Sequence, residues 1–286
     1  MAIFLNILNR VFAGILATLL GVTGAVNNFF TGEVYEYKSE TAVFGVEALS
    51  RSQDVTTDGK AWIYSGKNYL EKVSLDNSKI LAADFSAIPD EIAEKYNSKH
   101  IGGISYYDGI IYAAVEDSKE WNHPLILLYD AETLEFTGTY YELSTKHHIK
   151  GVPWVIVDGE NKIAYAGDSK QHNKIFMYKL ENFEYIGEYV FNTEIKKIQG
   201  GEYYGGKLYF GTNDMTRAVY SLDVKSGEIT KLFDRIMYEY KLIDNFGGEG
   251  EGLTILKRAD GTTIHTLQLG TLFVDSSLRH YEWELN

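Results

Sequence analysis

The 286-residue chain has no cysteine, only three prolines, and 27 basic residues against 40 acidic ones. Without cysteine there is no thiol nucleophile, no thiolate metal site and no disulfide. With so little proline, few positions interrupt hydrogen-bonded strand ladders. The net charge of −13 repels phosphate backbones, and the basic pairs Lys196-Lys197 and Lys257-Arg258 are isolated, so the composition argues against nucleic acid as a partner. Also missing are a phosphate loop, a Gly-X-Ser-X-Gly nucleophile elbow, a His-Glu-X-X-His zinc helix and an EF-hand-like calcium loop. Serine nucleophile chemistry therefore has no support. What is abundant is aromatic: 22 tyrosines and 14 phenylalanines, the residues of short strands packed between sheets.

Residues 1–30 stand apart. Arg10 is their only charge, residues 11–26 carry none, and Thr23-Gly24-Ala25 offers the small side chains that a signal peptidase requires. The uncharged run is longer than many signal cores and shorter than a comfortable membrane span. It is expected to be an export signal cleaved near Val26, or a retained membrane anchor; a buried or interfacial helix is the third reading. Export would make the rest of the chain, residues 31–286, secreted, periplasmic or displayed at the cell surface. A membrane is then a partner only through an uncleaved N-terminal segment.

The remainder is repetitive. Five segments share one layout: an apolar strand, a tight turn with glycine, a second apolar strand, then small or acidic residues. The turn glycines are Gly59, Gly109, Gly159, Gly206 and Gly261, spaced by 50, 50, 47 and 55 residues. Asp-Gly or Gly-Gly between two apolar runs is a strong hairpin signal, because tight hairpin turns need positive φ. A third strand and an outer fourth one follow each hairpin, at 137–143, 185–191 and 236–242 in the middle repeats. Four antiparallel strands in about 50 residues is the size of a propeller blade. The last repeat stops after its third strand (280–285), and an unassigned strand (41–46) precedes the first. The expected fold is all-β, a single five-bladed propeller whose ring is closed by that N-terminal strand pairing with the last blade. A six-bladed ring, with a degenerate blade within residues 77–99, is the alternative.

A propeller of this kind brings the starts of its inner strands and the ends of its second strands to one face, around an axial funnel. Asp54, His100, Gln199 and Glu251 come from strand starts, and Glu116, Asp117, Asp168, Asn213 and Asp214 from strand ends. The loops beyond add Trp121, His123, Gln171, His172, Arg217 and Arg279. Glu251, in Gly247-Gly248-Glu249-Gly250-Glu251-Gly252, is the first candidate: glycines let backbone approach a ligand closely, and a carboxylate beside Asp54 suits Ca²⁺ binding or acid/base work. His100 is a candidate base, and His123 and His172 are candidate catalytic groups reaching over the funnel. Gln199, Asp168, Asn213, Arg217, Trp121 and Arg279 are candidate ligand-binding residues; Asp54 and Glu251 are the candidate metal ligands. His147 and His148 are adjacent and would point to opposite faces of a strand, so a shared metal is not expected.

The blades resemble those of the exported propellers that include the strictosidine-synthase and paraoxonase-like lactonases, the phytases and the glutaminyl cyclotransferases. The nearest local likeness is Glu251-Gly252-Leu253-Thr254-Ile255 with Asp260-Gly261 and Tyr281-Glu282-Trp283, similar to a phytase-like blade over about one repeat. The resemblance implies an axial Ca²⁺ site with histidine or carboxylate chemistry. The strand starts here, Asp54, His100, Val152, Gln199 and Glu251, depart from the Asn/Asp/Glu set of the lactonases. Two functions follow as expectations: a binding propeller holding a small molecule, glycan or protein partner in its funnel, and a Ca²⁺-assisted hydrolase or lyase of a small ester, lactone or phosphate.

Overall fold

The computed structural model describes residues 34–35, 37–117, 119–191, 193–235, 248–270, 275–283 and 285. The expected export segment and the strand expected at 236–242 lie outside the described residues.

Strands β1 (Val34–Tyr35) and β2 (Ser39–Phe44) and helix α1 (Val46–Ser50) precede the first blade. That blade is β3 (Asp54–Thr57), β4 (Ala61–Gly66), β5 (Tyr69–Ser74) and β6 (Ile80–Asp84), followed by helix α2 (Asp90–Tyr96). The second is β7 (His100–Tyr107), β8 (Ile110–Glu116), β9 (Leu125–Asp130) and β10 (Phe136–Glu142). The third is β11 (Val155–Asp158), β12 (Ile163–Ala166), β13 (Lys174–Lys179) and β14 (Tyr185–Val190). The fourth is β15 (Ile198–Tyr204), β16 (Lys207–Thr212), β17 (Val219–Asp223) and β18 (Ile229–Arg235). The fifth is β19 (Gly250–Arg258), β20 (Gly261–Leu269) and β21 (Asp275–Tyr281), completed by β2.

This is a five-bladed β-propeller, each blade built on four antiparallel strands read from the axis outwards. Residues 77–99 hold the outer strand of blade one and α2, and no sixth blade. The ring closes as the repeats imply: β2 runs antiparallel to β21, from Ser39 opposite His280 to Phe44 opposite Asp275. The third strand of blade five is Asp275–Tyr281, upstream of the expected 280–285, because its partner β20 ends at Leu269 and the pairing begins there. The outer strand of blade four is likewise Ile229–Arg235. One strand was not foreseen: two-residue β1 runs parallel to β18 and widens blade four to five strands.

The sequence of β8, Ile110-Ile111-Tyr112-Ala113-Ala114-Val115, is apolar on both faces because both faces are covered. Ile111, Ala113 and Val115 pack in the cluster between blades one and two, while Tyr112 and Ala114 pack between blades two and three. One apolar cluster fills each of the five interfaces between neighbouring blades. Stability is thereby spread around the ring, and every blade depends on two neighbours.

Four of the five hairpin turns use glycine as expected, with φ of +81° at Gly59 and Gly109, +82° at Gly206 and +149° at Gly261. The third blade differs. Its turn reaches positive φ at Lys162, and Gly159 is required for another reason: a Cβ there would lie 1.8 Å from the Tyr107 ring of blade two.

Candidate functional site at the channel mouth

Strand direction places the starts of β3, β7, β11, β15 and β19 at one mouth of the central channel, as the repeat pattern implied. The channel there is narrow and filled. Asp54 is fully buried; its Oδ1 accepts the Val55 amide and its Oδ2 the Ile104 amide of blade two, each at 2.8 Å. The Leu253 amide of blade five also reaches it. Glycines make the room: a Cβ on Gly252 would fall 1.3 Å from Oδ1, and one on Gly200 2.4 Å from Oδ2. Burial, with repulsion from Glu202, pushes the Asp54 carboxyl well above the usual carboxylate range, against the pull of these amides.

Glu202 went unnoticed in the sequence. It lies two residues beyond Gly200 on β15, so it faces the same way along a strand. Its Oε2 accepts hydrogen bonds from Thr56 of blade one at 3.3 Å and Thr254 of blade five at 3.1 Å. Burial raises it to about 8, against both threonines. The readable signal was a charge in the middle of an inner strand, flanked by Gly200-Gly201.

Glu251 is 3 % exposed, at the start of β19. Desolvation pushes its carboxyl well above the ordinary range, and repulsion from and a hydrogen bond with Glu249 push it further; Arg235 opposes. Arg235 is also buried, and sequence reasoning missed it. It donates from Nη1 to the carbonyls of Glu251 at 3.5 Å and Leu267 at 3.3 Å, and from Nη2 to that of Thr212. Burial lowers its guanidinium to about 10.

Beside the axis, His100 Nε2 lies 2.7 Å from Gln53 Oε1, and its Nδ1 lies 3.6 Å from Glu116 Oε1. Trp121 packs near Glu116 across Gly151, where a Cβ would be 1.9 Å from Glu116 Oε2 and 2.9 Å from the indole. The gap between blades three and four opens as a cleft of about 130 Å³. Buried Trp154 forms part of its wall, with Asp168, Gln171, His172, Lys174 and Gln199 around it.

Thus Asp168, His172 and Gln199 are brought together, as the strand-end argument required. Asp168 also shapes the loop, accepting the amides of Lys150, Lys170 and Gln171 at 2.6, 2.9 and 3.0 Å. Others serve the framework. Asn213 Oδ1 accepts the Gly250 amide at 3.3 Å, and Arg217 Nη2 donates to the Gly248 carbonyl at 3.1 Å. His123 is held at the outer edge of blade two by Glu142, 2.7 Å away on the outermost strand, beside the Tyr96 ring. Arg279 lies within blade five, bonded to Gln268 at 2.9 Å and Glu40 at 3.2 Å, over the Tyr37 ring. His148 is buried between the Gly167 carbonyl at 2.8 Å and the Tyr178 hydroxyl at 2.7 Å, and burial lowers it to about 4; His147 stacks on Tyr185.

Calcium is a poor fit to Asp54, whose two oxygens already accept backbone amides. Among the described residues, no three histidine or carboxylate side chains converge as a metal centre requires.

No protein-family model matches this chain, and no curated protein does. Among solved structures it is similar to a glutaminyl cyclase of Myxococcus xanthus, with a TM-score of 0.61 over 90% of this chain and 99% of that one, at 11% identity. The likeness is one of fold. Lower similarity, TM-scores of 0.38 and 0.39, extends to the computationally designed protein Ika8 (10% identity, 79% of this chain, 57% of that one) and Hsv2 of Kluyveromyces lactis (11%, 77% and 69%).

Proposed function

We propose that the channel mouth binds a small polar molecule or the end of a peptide, and that the propeller acts as a binding module. The cleft between blades three and four carries this reading. Gln171, His172 and Gln199 present amide and imidazole groups around the Trp154 ring in a space of about 130 Å³. An aromatic wall with a few convergent polar groups is the ordinary chemistry of small-ligand recognition. A thermal-shift screen of amino acids, dipeptides and monosaccharides tests it, since a ligand that binds only the native state raises the melting temperature. A shift lost in Gln199→Ala and His172→Ala supports the cleft; a shift untouched by both variants places binding elsewhere.

A second reading is catalytic and rests on Glu251. The structurally similar Myxococcus protein is a glutaminyl cyclase. Closing an N-terminal glutamine forms a bond from its α-amino nitrogen to its side-chain amide carbon and breaks the bond to the amide nitrogen, which leaves as ammonia. A buried carboxyl kept neutral protonates the leaving nitrogen, and the resulting carboxylate takes the proton released by the attacking amine. Glu251, buried beside Glu249, has that character. Ammonia release from a glutaminyl dipeptide, lost in Glu251→Gln, is the expected outcome; no release above background sinks the catalytic reading and leaves binding intact. The Ca²⁺-assisted hydrolase or lyase has less behind it, for want of a carboxylate set at Asp54. EDTA leaving the melting temperature unchanged would retire it.

A further inference from the structure

A cavity of about 270 Å³ lies on the face of the disc opposite the mouth, in the seam between blades five and one. Segments far apart in the chain form it. Blade five supplies Arg258 at the end of β19, His265 on β20 and His280 on β21. Blade one supplies Trp62 on β4 and Leu75 just beyond β5, and β2 supplies Ser39, its first residue. This is also the seam where the ring closes, because β2 completes blade five.

Most polar groups in the wall are committed to one another. His265 Nε2 lies 2.8 Å from Thr263 Oγ1, and His280 Nε2 lies 3.4 Å from Thr41 Oγ1. The Trp62 indole N–H donates to the Leu75 carbonyl at 3.0 Å, so Trp62 and Leu75 offer the cavity apolar surface. At the rim Lys38 is paired with Glu282, the single carboxylate in the lining. Arg258 is the exception: among the described residues it forms no ion pair. Burial lowers both imidazoles and the Arg258 charge lowers them further, which places that charge beside the cavity. An apolar wall with one uncompensated cation is complementary to a monoanion that carries an apolar body.

We infer that this seam is a second ligand site, taking a small organic monocarboxylate with an aromatic or branched apolar body. The carboxylate meets the Arg258 guanidinium, whose planar fork of N–H donors matches two carboxylate oxygens, and the body lies against Trp62 and Leu75. A carboxylate fits better than a phosphate monoester, because one uncompensated cation balances one negative charge. A second charge would stand unopposed beside Glu282 on a chain of net charge −13. The occupant touches Ser39 of β2, Arg258 of blade five and Leu75 of blade one, so its binding fastens the two ends of the ring together.

The probes are benzoate and isovalerate, with benzamide as the neutral isostere of benzoate and benzylamine as a cationic counterpart. Affinity for the full chain is read by fluorine NMR of para-fluorobenzoate and its displacement, and stability by the melting temperature. Benzoate is expected to bind and to raise the melting temperature, since it binds the closed ring and not the unfolded chain. Benzamide should bind roughly tenfold more weakly or worse, as loss of a charge-assisted pair implies, and benzylamine should not compete. Arg258→Gln should weaken benzoate to the same degree, and Ser39→Trp, which fills the cavity from its rim, should abolish binding. Both positions are exposed, and an unchanged melting temperature without benzoate checks that each variant is folded. Gln199→Ala, in the mouth cleft, should leave benzoate affinity as it is. Equal affinity for benzoate and benzamide, binding that survives Arg258→Gln, or binding lost in Gln199→Ala overturns the inference. So does failure of both carboxylates to bind.

Discussion

The Nδ1 atoms of His265 and His280 face each other at 2.7 Å inside the blade that closes the ring. They stand opposite in the β20–β21 register, and both rings lie against Trp62 of blade one. The contact accommodates a single proton between the two nitrogens, so both rings are held neutral. Burial, with repulsion from the partner, lowers His265 to about 3; burial also lowers His280, with Arg258 adding to it.

Acid should therefore loosen the closure. Both folded values lie below the ordinary histidine value near 6.5, so the unfolded chain binds more protons beneath it. Their contribution is intact above about pH 6.5 and is lost as pH falls towards about 3. Urea midpoints measured from pH 7 to 4.5 should fall more steeply for the wild type than for His265→Gln. Parallel profiles would show that the pair does not set acid sensitivity.

Glu202 works in the opposite direction. Its folded value near 8 exceeds the unfolded one near 4.5, so keeping it buried costs progressively more as pH rises through that window, by up to about 1.4 kcal/mol per pH unit. Glu202→Gln keeps the acceptor for Thr56 and Thr254 and removes the titration. The variant should match the wild type near pH 5 and melt higher at pH 8 to 9; equal melting at pH 9 would count against a strained carboxyl.

Asp54 joins amides of blades one, two and five at the axis. Asp54→Ala leaves buried amides without acceptors and should lower stability by about 2–4 kcal/mol in denaturant unfolding. Gly252→Ala should do as much or more, because its methyl would overlap Asp54 Oδ1. A near-wild-type midpoint for either variant would show that the channel can rearrange around this carboxylate.

Removing residues 33–48 deletes β2 and leaves β21 with an unpaired edge. Open edges recruit other chains. The truncated protein should elute as oligomers or precipitate, and a well-folded monomer in size-exclusion chromatography would mean that closure is dispensable.

Local chemistry made the fold readable. Turn glycines such as Gly59 and Gly109 need positive φ, and a run such as Ile110 to Val115 is apolar on both faces only if neighbouring sheets cover both. Those features, recurring at blade length, prescribe a ring of five sheets and the closing role of β2. Strand polarity alone also carried Asp168, His172 and Gln199 to one cleft. What the sequence did not determine is which charges are desolvated, since that depends on partners far along the chain. Glu202 is enclosed by Thr56 and Thr254, Arg235 by carbonyls of Thr212, Glu251 and Leu267, and His265 by His280 and Trp62. Distance decided the rest: His123 and Arg279 have the residue types of a site, but Glu142 and Glu40, on outermost strands, hold them away from the axis. Periodic local preferences specify a propeller, whereas the electrostatics of its channel arise only when distant blades close around the same few atoms.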